Sequence, residues 1–407
     1  MNDSQNIAAE RTAETKRAVL WIACLLGWLS AFGPLSIDMY LPAMPHLAND
    51  LQASTSLAQL SLTACLLGIA LGQIFIGPLS DTYGRRGPLL VGLAIYAAAS
   101  FLCVMAPTME LFVAMRFVQG LAGSAGVVIS RATVRDLYSG PAMTRFFALL
   151  MLINGFAPIF APVLGGQILA FTSWRGIFIV LAGIGLAMLA GVFFGLRETL
   201  PLKRRSRGGI ANSLRTYRSL LSNRTFMGYA LAQGFVSAAM FAYISGSPFV
   251  LQDIYGVSPQ MFSVYFGING LGIILAGQIT GRLAGRISET RLLIAGLGIS
   301  FVGGAALLLM ILLQGSLYMI LVPLFLVIAS VGIVGTSCFA LAMQDQAKAA
   351  GSASALIGLF SFVFGGIMAP LVGIAGSRTA VPMGVIIALA ETAAVLSYVW
   401  LVKHKQD

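Results

Sequence analysis

Apolar stretches of about 18 residues or more, separated by charges or by Gly and Pro, recur twelve times along the chain. Their limits are 18–41, 56–76, 89–106, 109–133, 143–169 and 176–196 in the first half. In the second half they are 226–250, 261–281, 291–313, 316–341, 352–375 and 380–402. About 20 apolar residues in a helix cross the hydrocarbon core of a bilayer. The pattern therefore predicts an all-α integral membrane protein with 12 transmembrane helices.

Composition narrows what else the chain can hold. Of 407 residues, 58% are apolar and only 10% charged, whereas a soluble domain carries about 25% charged residues. A catalytic or nucleotide-binding domain outside the membrane needs roughly 100 contiguous residues of ordinary polarity, and no such stretch exists. Of the 25 Lys and Arg, 22 fall on the side of the two termini; only Arg175 and Arg378 fall on the other, and Arg116 lies inside a span. The positive-inside bias places both termini in the cytoplasm and accounts for the net charge of +11 with no nucleic acid as partner. The expected organisation is a cytoplasmic tail 1–17, a six-helix bundle 18–196, a cytoplasmic basic linker 197–225, a second six-helix bundle 226–402 and a cytoplasmic tail 403–407. The 17 polar N-terminal residues precede an apolar run with no small-residue cleavage site, which reads as a retained first span.

Cys24, Cys65, Cys103 and Cys338 sit in apolar runs without C-x-x-C spacing, so neither a disulfide framework nor a metal site is expected. His46 and His404 are the only histidines, and no phosphate-binding G-x-x-x-x-G-K-[ST] occurs. An intramembrane enzyme, ATP-driven transport and a bound cofactor are all disfavoured.

Two halves of equal span number suggest duplication. Ala161-Pro162-Val163-Leu164-Gly165 recurs as Ala369-Pro370-Leu371-Val372-Gly373, and Gly84-Arg85-Arg86 is echoed by Gly285-Arg286. Two pseudo-symmetric six-helix bundles form the architecture of a secondary transporter, with its substrate site between the halves near the midplane.

Several motifs sharpen this reading. GPLSDTYGRRGPLL at 77–90 lies between spans 2 and 3: Gly77 is suited to close helix approach, Asp81 to pairing with a helix end, and Gly84 to a turn before Arg85 and Arg86. LFVAMRFVQGLAGSAG at 111–126 carries Arg116, Gln119 and Gly120, with Gly123 and Gly126 continuing a small-residue stripe for helix packing. NGFAPIFAPVLGGQ at 154–167 carries Pro158, Pro162, Gly165 and Gly166, a segment on which two halves could rock. PLSIDMYLPAMP at 34–45 ends span 1, and RETLP at 197–201 follows span 6.

The 77–90 string resembles the loop signature G-x-x-x-D-R-x-G-R-R of the major facilitator superfamily, with Thr82 at the usual basic position. The 111–126 segment is similar to that superfamily's R-x-x-Q-G motif, and 154–167 to the antiporter motif of its drug exporters, with Ala161 where many members have Gly. The 34–45 and 197–201 segments resemble the bicyclomycin-resistance (Bcr/CflA) family of drug:proton antiporters. The resemblance implies the major facilitator fold and proton-driven export of drug-like molecules across a bacterial inner membrane. The partners it implies are a small-molecule drug of bicyclomycin or phenicol type, protons and the lipid bilayer, and the protein is expected to act as a monomer.

Asp38 is the first candidate for coupling, because a carboxylate inside a span is costly unless it is paired, hydrated or neutralised. A buried carboxyl that its neighbours can tip either way can load and release a proton. Arg116 lies seven residues into span 4; if span 1 reaches Pro45, Asp38 has the same depth and the two are expected to pair, directly or through water. Glu391, halfway along span 12, is the third intramembrane charge; by resemblance that helix lies outside the central cavity, which favours a helix-packing or water-pocket role. Met39, Tyr40, Asn154, Met240, Tyr243 and Asn269 are candidate substrate contacts, since Met, aromatic and small polar groups accept varied ligands. A symporter importing a small metabolite on the same fold remains the rival reading.

Overall fold

The computed structural model describes residues 21–205, 218–344, 346 and 350–402. The expected tails 1–17 and 403–407, His404 and linker residues 206–217 lie outside the described residues. Among the described residues regular structure is helical, apart from one isolated bridge between Ala284 and Ile287. Backbone polar groups in lipid must be satisfied within the segment, which leaves helix as the available form for these runs.

Twelve spans result. Span 1 comprises Trp21–Ser30 and Phe32–Asp50; the first half continues with Thr55–Tyr83, Arg86–Val104, Met109–Leu137, Gly140–Phe171 and Trp174–Gly195. The second half has Arg224–Phe249, which runs on as a π turn Val250–Ile254, then Pro259–Leu283, Glu289–Leu312, Leu317–Met343, Ala350–Val372 and Val381–Leu401. Side chains cap the free N–H groups where spans 2, 4, 7 and 8 begin: Ser54, Thr108, Asn223 and Ser258 each accept a bond from the backbone three residues on.

Two boundaries depart from the hydropathy reading for a physical reason. Span 4 was expected to end at 133 and continues to Leu137, because Arg135 and Asp136 interrupt the apolar pattern without interrupting the hydrogen-bond ladder. Span 1 was expected to end at 41 and instead turns through a 3-10 segment Leu41–Ala43 into Met44–Asp50. Pro42 and Pro45 each stand at the start of a new helical piece, where a missing N–H costs nothing, so the chain bends and does not stop. The far tip is held by Asp50, which accepts from the Trp174 indole at 2.9 Å and pairs with Arg175 at 3.4 Å.

Spans 2 and 4 touch through small residues. A Cβ on Gly120 would strike the backbone carbonyl of Cys65, and one on Gly68 the carbonyl of Phe117. Gly77, expected to serve close approach, has only ordinary contact with Val128, so that role passes to Gly68, Gly72 and Gly120.

The second half repeats the geometry. Gly332 of span 10 sits on the Ile273 carbonyl of span 8 as Gly120 of span 4 sits on that of Cys65. Across the halves, Ser263 donates to the Pro162 carbonyl and Ser56 to the Pro370 carbonyl, both at 2.8 Å. The two prolines occupy matching places in the repeated Ala-Pro-x-x-Gly string, so the sequence repeat becomes a pair of equivalent contacts between bundles.

Further bonds between the halves cluster at the end of the molecule away from the linker. Gln252 donates to the Pro42 carbonyl, Gln59 to Ser245, and Gln260 to Gly166, each at 3.1 Å, and Thr63 donates to Gly366 at 2.8 Å. The far end is closed, and the space between the bundles lies on the linker side of that closure.

Candidate functional site

The two bundles enclose a cavity of about 660 Å³, within the range of small-molecule sites. Spans 1, 2, 4 and 5 supply Asp38, Gln73, Arg131, Asn154 and Pro158; spans 7 and 8 supply Met240, Tyr243, Phe266 and Asn269. Asn269 donates to the Tyr243 hydroxyl at 2.9 Å, and the Tyr243 and Phe266 rings stack 5.4 Å apart. The cavity runs from Asp38, near the closed end, to Phe339, Ser354 and Arg131 toward the linker end.

Asp38 is the one carboxylate among the described residues lining this cavity. It is 4% exposed and takes part in none of the four ion pairs found among the described residues. It stands at the last position of Phe32–Asp38, where the chain breaks before Leu41–Ala43. The carboxylate therefore projects from a helix end, with no partner fixing it.

Arg116 is fully buried, and among the described residues it makes no direct ion pair with Asp38. Its Nη2 donates to the Ser36 carbonyl at 2.7 Å, its Nη1 donates to Oε1 of Gln119, and its guanidinium lies over the Tyr40 ring at 4.3 Å. Gln119 in turn donates to Ser100 at 2.7 Å, and the Tyr40 hydroxyl meets Ser61 at 3.0 Å. The break in span 1 explains this arrangement. The last carbonyls of a helix lack intrahelical donors and carry partial negative charge, and Ser36 lies in that last turn. The arginine satisfies the helix end and leaves the acid free.

The expected substrate contacts divide. Asn154, Met240, Tyr243 and Asn269 line the cavity. Met39 and Tyr40 are corrected: both are buried inside the first bundle at the break, 1% and 0% exposed, with Met39 against Gly165 and Tyr40 under Arg116. Among the span-5 residues, Pro158 faces the cavity, Pro162 and Gly166 accept bonds from span 8, and Gly165 packs on the Met39 carbonyl. Glu391 is fully buried against Gly304 of span 9 and is not among the residues lining the cavity.

At the linker end the 77–90 motif forms a charged knot. Arg85 pairs with Asp81 at 2.5 Å and with Asp136 of span 4 at 2.8 Å, and donates to Ser80 at 2.8 Å. Gly84 has φ +93°, the turn that glycine permits. Glu198 of the RETLP segment accepts from the backbone N–H of Arg85 at 2.8 Å and of Arg86 at 3.2 Å, and approaches Arg205 at 3.8 Å. Arg86 donates to the Phe193 carbonyl at 2.7 Å. Burial works to raise the Glu198 carboxyl, but the N–H groups of Leu200, Arg85 and Arg86 and the Arg205 charge outweigh it and hold the pKa below the ordinary carboxylate value.

Sequence reading counted Arg131 among the cytoplasmic charges, although it lies inside the expected span 109–133, and did not single it out. Charge counting assigns a side of the membrane and cannot see which way a helix face turns. The signal was present in the spacing, because Val127 and Arg131 are four residues apart on one helix face, and both line the cavity.

Twelve spans in two matching bundles around a cavity closed at one end define a multi-pass membrane transporter. The comparisons agree. A family model described as Major Facilitator Superfamily matches residues 23–370. An uncharacterized MFS-type transporter, YdgK, of Bacillus subtilis (strain 168) is 47% identical over 96% of this chain and 98% of its own length. A bicyclomycin resistance protein homolog of Haemophilus influenzae is 32% identical over 92% of this chain and 94% of its own. A bacterial homolog of the human lysosomal transporter Spinster, crystallised in an inward-facing and unoccupied conformation, shares the fold with a TM-score of 0.71 at 15% identity, covering 95% of each chain. The chain belongs to the major facilitator superfamily and, within it, to the branch of the bicyclomycin-resistance (Bcr/CflA) proteins.

Proposed function

We propose that this transporter exports small drug-like molecules of bicyclomycin or phenicol type in exchange for protons, by alternating access between its halves. The observation that carries the reading is Asp38, an unpaired carboxylate lining the cavity between the bundles. The basic bias of the loops makes the linker end cytoplasmic, so the cavity faces the cytoplasm and receives drug from that side. Drug entering the cavity displaces water around Asp38 and favours loss of its proton to the inside. When the halves rock and the far end opens, reprotonation of Asp38 from outside favours drug release. Arg116 holds the break in span 1, and so positions the carboxylate, while Pro162, Gly165 and Gly166 of span 5 supply the surface on which the halves move.

Everted membrane vesicles test the reading. Labelled chloramphenicol or bicyclomycin should accumulate inside them when a proton gradient is imposed, and the accumulation should collapse with an uncoupler. No gradient-dependent movement across a small drug panel would replace export by import of a small metabolite on the same fold.

A further inference from the structure

Arg131 is the one cation among the described residues lining the cavity. It is exposed where it lines that space, and among the described residues it has no hydrogen bond or ion pair. An unpartnered arginine at this depth is costly unless it serves a ligand or a water-filled path. Among the described residues it has no hydrogen bond to a helix-end carbonyl or to a glutamine, the bonds that occupy Arg116. Its span places it 15 residues after Arg116, about 22 Å further along the helix toward the linker end. The cavity therefore has opposite free charges at separated places, Asp38 deep and Arg131 near the mouth, with Phe266, Met240, Ile273 and Phe362 as apolar wall between.

We propose that Arg131 is a recognition residue that binds an anionic group of the ligand, so that this cavity prefers molecules with an apolar body and an acidic substituent over lipophilic cations. The planar guanidinium matches a carboxylate with two parallel hydrogen bonds. The apolar wall lowers the local dielectric and strengthens that contact relative to water. A lipophilic cation would meet Arg131 on the way in and be repelled. This rests on the cavity being the ligand site of the proposed exporter, but not on proton coupling.

The test is equilibrium dialysis of the detergent-solubilised full chain with three probes that share one aromatic body: 1-naphthylacetate, 1-naphthylacetamide and 1-naphthylmethyl-trimethylammonium. The wild-type protein should bind the carboxylate about tenfold more tightly than the amide, the gain of one charge-assisted contact, and the ammonium more weakly than either. R131Q should bring carboxylate and amide to near parity, and R131K should keep part of the preference. High salt should shrink the preference in the wild-type protein, a readout that stands if R131Q fails to fold. Equal binding of carboxylate and amide by the wild-type protein, absence of binding by any probe, or a preference that survives in R131Q would overturn the proposal. An Arg131-dependent preference in a protein that moves no drug in vesicles would remove the export reading and leave this inference standing.

Discussion

Arg116 reaches the backbone carbonyl of Ser36 at 2.7 Å and leaves the carboxylate of Asp38, two residues further along the same span, without a partner. A charge pair would have fixed the acid in one state. With the cation satisfied by a helix end, Asp38 is left, in the proposed cycle, to respond to what occupies the cavity.

Replacing Asp38 by Asn keeps the shape and removes the titrating group. We expect proton-driven drug accumulation in everted vesicles to fall to background while the amount of protein in the membrane is unchanged. Accumulation equal to wild type with Asp38→Asn would sink the coupling role.

Gln119 joins Arg116 to Ser100, and both partners are buried. Gln119→Leu leaves a buried Arg116 N–H without its acceptor and removes one donor from Ser100, whose hydroxyl still donates to the Tyr96 carbonyl, a cost of about 1–3 kcal/mol. The thermal midpoint in detergent, read by size-exclusion chromatography after heating, should drop, and Gln119→Glu should recover part of it by pairing with the arginine.

The matched contacts Ser56 to Pro370 and Ser263 to Pro162 hold the far end closed from opposite sides. Removing both hydroxyls, each bond being worth about 1 kcal/mol, should shift the population toward the state open at the far end. A cysteine placed at Ser354 in a Cys24→Ser background reports this. Labelling by a membrane-impermeant maleimide from the linker side should be fast in the parent and slower in the Ser56→Ala/Ser263→Ala variant.

Glu198 carries a depressed pKa, so its contribution to the linker-end knot is complete above its unfolded value near pH 4.3. It is lost as pH falls through the lower folded value. Amide exchange at Arg85 and Arg86 should therefore be slow at pH 6 and accelerate below pH 4 beyond the intrinsic chemical trend. Glu198→Gln should abolish that extra acceleration.

Gly120 meets backbone, which cannot rotate away. Gly120→Val should destabilise the packing of spans 2 and 4 by about 3 kcal/mol, the upper part of the overpacking range, and lower the yield of monodisperse protein. The same change at Gly77, which has room, should be tolerated.

Much of this was legible in the chain. Twelve apolar runs gave twelve spans because backbone satisfaction in lipid leaves no other form for them, and the Ala-Pro-x-x-Gly repeat at 161 and 369 reappears as equivalent contacts. Asp38 could be singled out because an acid in an apolar run is costly wherever it points. What one dimension cannot carry is direction and interruption. Met39 and Tyr40 follow Asp38 directly and yet turn into the bundle, because the helix breaks there. Arg131 counts as one more basic charge near a span end and yet lines the cavity, because a charge tally does not carry the direction of a helix face. Local hydropathy and composition set the number and length of the spans, through the energetics of each segment by itself. Which charges meet, which stay free and which face the cavity depended on helix ends and on glycines such as Gly120 and Gly165 that let backbones touch, since these contacts join residues far apart in the chain.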